Sequence, residues 1–154
     1  MKKVFTSNYK GKGNLEKRLS ERQFGKIYVM VGINELGLGT TEYFMEDYTA
    51  MIDHLRELQP EALIFIEAIM NVDKEKNDSD RIFNNTNILG RNHAIATLAD
   101  NKTIFYIDVN EAVCDEDGNL DPELTFDHLH LKGSAAEVWK EFLMCHGVVK
   151  EEEE

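Results

Sequence analysis

The residues best suited by type and spacing to do chemistry lie near the C-terminal end, in Thr125-Phe126-Asp127-His128-Leu129-His130-Leu131-Lys132-Gly133. Asp127 and His130 stand three apart in what reads as a turn, close enough for the carboxylate to orient one imidazole nitrogen. The other nitrogen is then free to serve as a general base. Taken alone, an Asp-x-x-His is more often a feature of a solvated surface. His128 adds a competing reading, because His-x-His beside an aspartate is also a zinc-ligand pattern. No partner completes that set: His54 and His93 fall on helical stretches, and the two cysteines, Cys114 and Cys145, lie far apart without metal or redox spacing. The expectation is therefore a site without metal, and two thiols that stay unpaired.

A second loop of interest is Gly32-Ile33-Asn34-Glu35-Leu36-Gly37. An asparagine just past a strand can cap the next turn. Its side-chain amide can also point into a site and donate to a developing oxyanion. Gly37-Leu38-Gly39 has neither the dinucleotide-binding spacing nor the lysine of a phosphate-binding loop, so no nucleotide cofactor is expected. The acidic stretch from Asp115 to Asp121 does not place its acids as a twelve-residue calcium loop requires, and Gly118-Asn119 reads as a solvated turn.

The elements that must position these loops are legible as alternating patterns. Lys26 to Val31, Ala62 to Met70 and Thr103 to Val109 are short apolar runs rich in β-branched and aromatic residues, and read as buried strands. Between them, Thr40 or Thr41 caps a helix with Phe44, Tyr48, Met51, Ile52, Leu55 and Leu58 on one stripe, closed by Pro60. Asn84 to Ala99 shows the same rhythm at Ile88, Ala94, Ile95 and Leu98, and Ser134 to His146 shows it at Ala135, Val138, Trp139, Phe142 and Leu143. Ser134 is the expected cap of that last helix, and an opening helix covers Asn14 to Gln23. Strand–helix alternation predicts an α/β domain of three layers, a flavodoxin-like parallel sheet with helices on both faces. In such sheets functional residues gather where strands end at their carboxyl side. Residues 1–150 form one domain in this reading, with Glu151 to Glu154 as an acidic tail.

A net charge of −12 excludes phosphate-backbone binding, which needs clustered Lys and Arg, and equally excludes docking on anionic lipid. No apolar run reaches membrane length, and the opening MKKVFTSNYKGKGN is no signal peptide, so the chain as written is expected in the cytosol. That expectation lapses if a leader precedes residue 1.

A strand ending in Gly-x-Asn-Glu, two α/β units, and then DEDGNLDPELTFDHLHLKG opening a terminal helix resemble the SGNH, or GDSL-type, ester hydrolases over roughly residues 14–146. The family's Gly-x-Asn-Asp motif matches Gly32, Asn34 and Glu35, with Glu in place of Asp. Its Asp-x-x-His motif matches Asp127 and His130, and the family often has glycine where His128 stands. The resemblance implies His130 as general base, Asp127 as its orienting carboxylate, Asn34 with Gly32 at the oxyanion and substrate, and no cofactor. It implies a small-molecule acyl ester as substrate, an acylated carbohydrate among the candidates.

The family's Gly-Asp-Ser nucleophile motif, however, does not precede Gly32. Ser7, Ser20, Ser79 and Ser134 stand in no such setting, and a lysine-rich turn explains Gly11 and Gly13 better than the family's second oxyanion motif does. The chain is thus expected to be truncated at its N-terminus, to lack the strand that carries the nucleophile, and to be inactive as an esterase. Lys26 to Val31 would then present an unpaired edge open to self-association. Two alternatives stay open: a non-catalytic binding domain, and a metal-dependent hydrolase using His128 and His130.

Overall fold

The computed structural model describes residues 15–147. The start of the opening helix at Asn14, the Ser7 and Gly11–Gly13 region and the acidic tail lie outside them. Three parallel strands, β1 (Lys26–Val29), β2 (Leu63–Glu67) and β3 (Ile104–Ile107), pair in the order β1-β2-β3. Lys26 faces Leu63 and Ile64 faces Ile104 in the register. The helices are α1 (Leu15–Glu21), α2 (Thr41–Leu58), α3 (Lys74–Ser79), α4 (Asn85–Ala96), α5 (Asn110–Val113) and α6 (Ala136–Cys145).

The three layers follow from side-chain alternation along the strands. Ile64 and Ile66 of β2 pack with Phe44, Tyr48, Met51, Ile52 and Leu55 of α2 and with Ile88 and Ile95 of α4. Leu63 and Phe65 point the other way, with Ile107 and Val109, against Trp139, Phe142 and Leu143 of α6. On that second face Tyr28, Phe65 and Phe105 stack across all three strands, with ring centroids 4.7 and 5.3 Å apart. Every residue of β2 is buried, as its continuous apolar run requires. Fully burying one such side chain stabilises by about 1.5–3 kcal/mol, so the central strand and the α2 stripe anchor the domain.

Two helices carry the caps their sequences announce. The Thr40 hydroxyl accepts from the Tyr43 amide at 3.3 Å, and the Asn84 side chain accepts from the Asn87 amide at 3.0 Å. At the end of α2, buried Gln59 donates to the carbonyls of Leu19 and Arg22 and accepts from the Phe24 amide, tying the chain between α1 and β1 to the α2 terminus. No helix among the described residues is long and apolar enough to cross a membrane.

Three expectations need correction. The strands are shorter than the apolar runs, because the runs continue into loops that are themselves packed: Ala68, Ile69 and Val72 past β2 are all buried. The first run is not a buried strand either, since β1 alternates between exposed and half-buried residues, and it borders only β2 among the described strands. Lastly, Ser134 does not cap α6. A 3-10 turn at Gly133–Ala135 runs directly into the helix, whose N-cap Ala135 has helical backbone and no side-chain cap. A serine cap needs an extended backbone at its own position, and the turn leaves none there.

Candidate active site

Each strand of the sheet delivers a loop to the same end. Past β1, the 3-10 turn Ile33–Glu35 begins at Gly32, whose φ of +126° and ψ of −14° suit glycine. A β-carbon there would stand 2.9 Å from Ile69 Cδ1 and 3.1 Å from the Phe44 ring. Gly32 thus lets the backbone leaving β1 lie directly on the buried residues leaving β2. Asn34 sits on this turn with its side chain exposed.

The chain leaving β2 is shaped by three asparagines from elsewhere. Buried Asn92 of α4 accepts from the Ile69 amide at 2.8 Å and donates to the Ile69 carbonyl at 2.9 Å. Asn85 does the same to Val72, accepting at 2.8 Å and donating at 3.0 Å. Asn110 of α5 accepts from the Asn71 amide at 2.7 Å and donates to the Ile69 carbonyl at 3.1 Å. Irregular backbone this buried needs such partners, and side-chain amides supply donor and acceptor together.

The third component is the turn before α6, closed by a bridge between Thr125 and Leu131. Within it, one Asp127 oxygen accepts from the amides of Leu129 at 3.1 Å and His130 at 2.7 Å, while the other meets His130 Nδ1 at 2.7 Å. Burial pushes the Asp127 carboxyl upward, but the hydrogen bonds from His130 and Leu129 outweigh it and bring the group down to about 2. An ionised carboxylate can only accept, so Nδ1 carries a proton, and in the neutral imidazole Nε2 presents the lone pair. The His130 ring, also stacked against Phe126 at 6.5 Å, lines a hollow of about 280 Å³. Met30, Val31 and Ile33 from the chain leaving β1, Ile69 and Met70 from the chain leaving β2, and Leu129, Leu131 and Trp139 complete an apolar wall. Trp139 is held in place by donating its indole N–H to Glu67 at 2.7 Å.

The structure therefore pairs Asp127 with His130 and places the Gly32–Asn34 turn at the same end of the sheet. It does not bring Asn34 into the wall of the hollow; its neighbour Ile33 is there instead. His128 and His130 do not face one point. His128 has φ +69° and turns its Nδ1 to Asp73, 2.6 Å away in the chain leaving β2. No three His, Cys, Asp or Glu side chains converge as metal ligands among the described residues. Cys114 is half-buried, Cys145 is exposed, and both are free thiols. Sequence reasoning missed Asp73, Glu67 and the bracketing asparagines; only Asp73 left a local signal, as an N-cap acid before Lys74-Glu75-Lys76.

The order of these loops along the chain is what a family comparison can test. The model of the GDSL-like lipase/acylhydrolase family matches residues 6–138. The chain belongs to this family. Among solved structures, a Streptococcus pneumonia protein provisionally named a platelet activating factor is similar with a TM-score of 0.70 at 23% identity, over 79% of this chain and 58% of its own. A GDSL-like lipase from Bacteroides thetaiotaomicron gives 0.61 at 13% identity, over 79% and 60%. A carbohydrate esterase family 3 protein from Talaromyces cellulolyticus gives 0.54 at 16%, over 77% and 55%. At these identities the likeness is one of fold. This GDSL-like chain spans under two thirds of the length of these relatives. No curated protein matches it.

Proposed function

We propose that this chain carries the general-base side of a serine ester hydrolase acting on small acyl esters through an acyl-enzyme. The observation that carries the reading is the 2.7 Å contact between Asp127 and His130 Nδ1, with the carboxylate also fixed by two backbone amides. Held so, His130 Nε2 takes the proton of an attacking serine hydroxyl and returns it to the departing alcohol. Water then repeats the cycle on the acyl-enzyme. The Asn34 amide, exposed on the turn after β1, is assigned to the oxyanion formed in both steps. The apolar hollow suits the acyl portion of the ester, and an acylated carbohydrate would leave its sugar outside.

A second reading, a binding domain without catalysis, is favoured by one observation. Among the described residues none that lines the hollow is a serine, and the hydroxyls of Ser20 and Ser79 are bonded within their own helices, to Lys17 and Glu75. The 154-residue chain alone is accordingly expected to turn over p-nitrophenyl acetate and butyrate poorly. A longer protein in which a Gly-Asp-Ser strand precedes residue 1 is expected to be active, with His130→Ala lowering kcat on the order of 10³-fold or more. Activity of that longer protein that survives His130→Ala would refute the assignment of the base. Activity in neither form would favour the binding domain.

A further inference from the structure

The Asp127–His130 pair lies on a turn with a strained residue at its centre. His128, between them, has φ +69°, a left-handed backbone that penalises any residue bearing a β-carbon unless its surroundings impose it. The surroundings here are Asp73. This residue is 4% exposed and belongs to the chain leaving β2, 55 positions away. It meets His128 twice: the carboxylate takes the imidazole Nδ1 at 2.6 Å, and the Asp73 amide donates to the His128 carbonyl at 3.2 Å. Its other carboxylate oxygen caps α3 by accepting from the Lys76 amide at 3.0 Å.

We infer that Asp73 and His128 form a clasp that holds Asp127 and His130 in register with the loop leaving β2, making both of them positioning residues for the base. The inference rests on the reading of His130 as that base. The side chain of His128 is unsuited to a base role of its own. Its second nitrogen faces Glu75 at 3.9 Å rather than the hollow, and Asp127 adds a further negative charge nearby. The hydrogen bond to Asp73, reinforced by these acids, favours the protonated imidazole, so the clasp is a charge-assisted pair over more of the pH range than an isolated histidine would allow. Asp127 immediately precedes the clasped residue, and His130 follows it by two positions. Releasing His128 therefore loosens the short turn on which the 2.7 Å contact depends.

The test is the exchange of the His130 Nδ1 proton with water, followed by NMR on the 154-residue chain labelled at histidine. This readout does not depend on ester turnover, so its failure is separable from failure of the proposed activity. Asp73→Asn keeps an acceptor able to cap α3, and His128→Gly accepts the left-handed backbone without cost, so both variants are suited to fold. Both are expected to speed exchange of that proton on the order of ten-fold, while the Trp139 indole proton, held by Glu67, exchanges as before. Exchange in His128→Gly within about twofold of the parent would overturn the clasp, showing that the backbone alone sets the turn. Loss of Trp139 protection in both variants would overturn it too, because the pair would then be holding the whole domain rather than the dyad.

Discussion

Replacing Gly32 by alanine separates two costs that the structure states individually. The first is conformational: at φ +126° and ψ −14° the residue lies outside the left-handed helical region as well as the usual ones, which costs a non-glycine residue about 1–3 kcal/mol. The second is steric. The added β-carbon would stand 2.9 Å from Ile69 Cδ1 and 3.1 and 3.3 Å from two atoms of the Phe44 ring, and both neighbours are almost fully buried. Overpacking of this kind costs about 1–3 kcal/mol. Together the loss is about 2–6 kcal/mol, set against the roughly 5–15 kcal/mol that holds a domain folded, so the variant should fold with much of its stability gone. At a slope of about 2 kcal/mol/M the urea midpoint is expected to fall by about 1–3 M. Adding Ile69→Val removes the methyl at 2.9 Å and should recover part of the steric cost, leaving the conformational one. A loss under about 0.5 kcal/mol in Gly32→Ala, or complete recovery in the double variant, would refute this reasoning.

Burial raises the Glu67 carboxyl, and the Trp139 hydrogen bond only partly opposes it. A group raised in the folded state stabilises fully below its unfolded value and loses that contribution as pH rises through the folded one. Glu67→Gln, which keeps an acceptor for Trp139, should therefore gain stability over the parent at pH 8 and show little gain at pH 4. Equal differences at both pH values in urea melts would contradict the burial account. Asn92→Ala leaves the Ile69 amide buried without a partner while the Ile69 carbonyl keeps Asn110, so a loss of about 1–3 kcal/mol is expected in the same melts.

What the sequence disclosed was what depends on near neighbours. The Asp127–His130 contact spans three positions, and the α2 stripe repeats within one helix, so both could be read from spacing. Both β2 and β1 were legible as strands; the burial of β2 was readable too, but the exposure of β1 was not, because whether an apolar run is covered depends on what lies beside it in the sheet. The short α3, LysGluLysAsnAspSer in sequence, has no apolar rhythm and follows from its Asp73 cap alone. Contacts such as His128 with Asp73, Trp139 with Glu67 or Asn92 with Ile69 join residues 55, 72 and 23 apart, and neither partner's type demands the other. Asn34 shows the same limit in another way: its place on a turn was readable, while the direction of its side chain depends on the turn's orientation over the core.

The asparagine brackets on the chain leaving β2 also separate where a loop's path is stored from where its chemistry is displayed. Asn85, Asn92 and Asn110 grip the backbone of residues 69–72 through amides and carbonyls that every residue but proline possesses. Met70 can therefore be exchanged for other side chains while the loop keeps its course, and Met70 faces the hollow beside His130. Drift at that position would retune the shape of the cavity, and in the proposed hydrolase the preference among acyl groups, while the geometry of the Asp127–His130 pair stays as it is. The helices behind the loop thus act as a template, and the residues in front of it as interchangeable type.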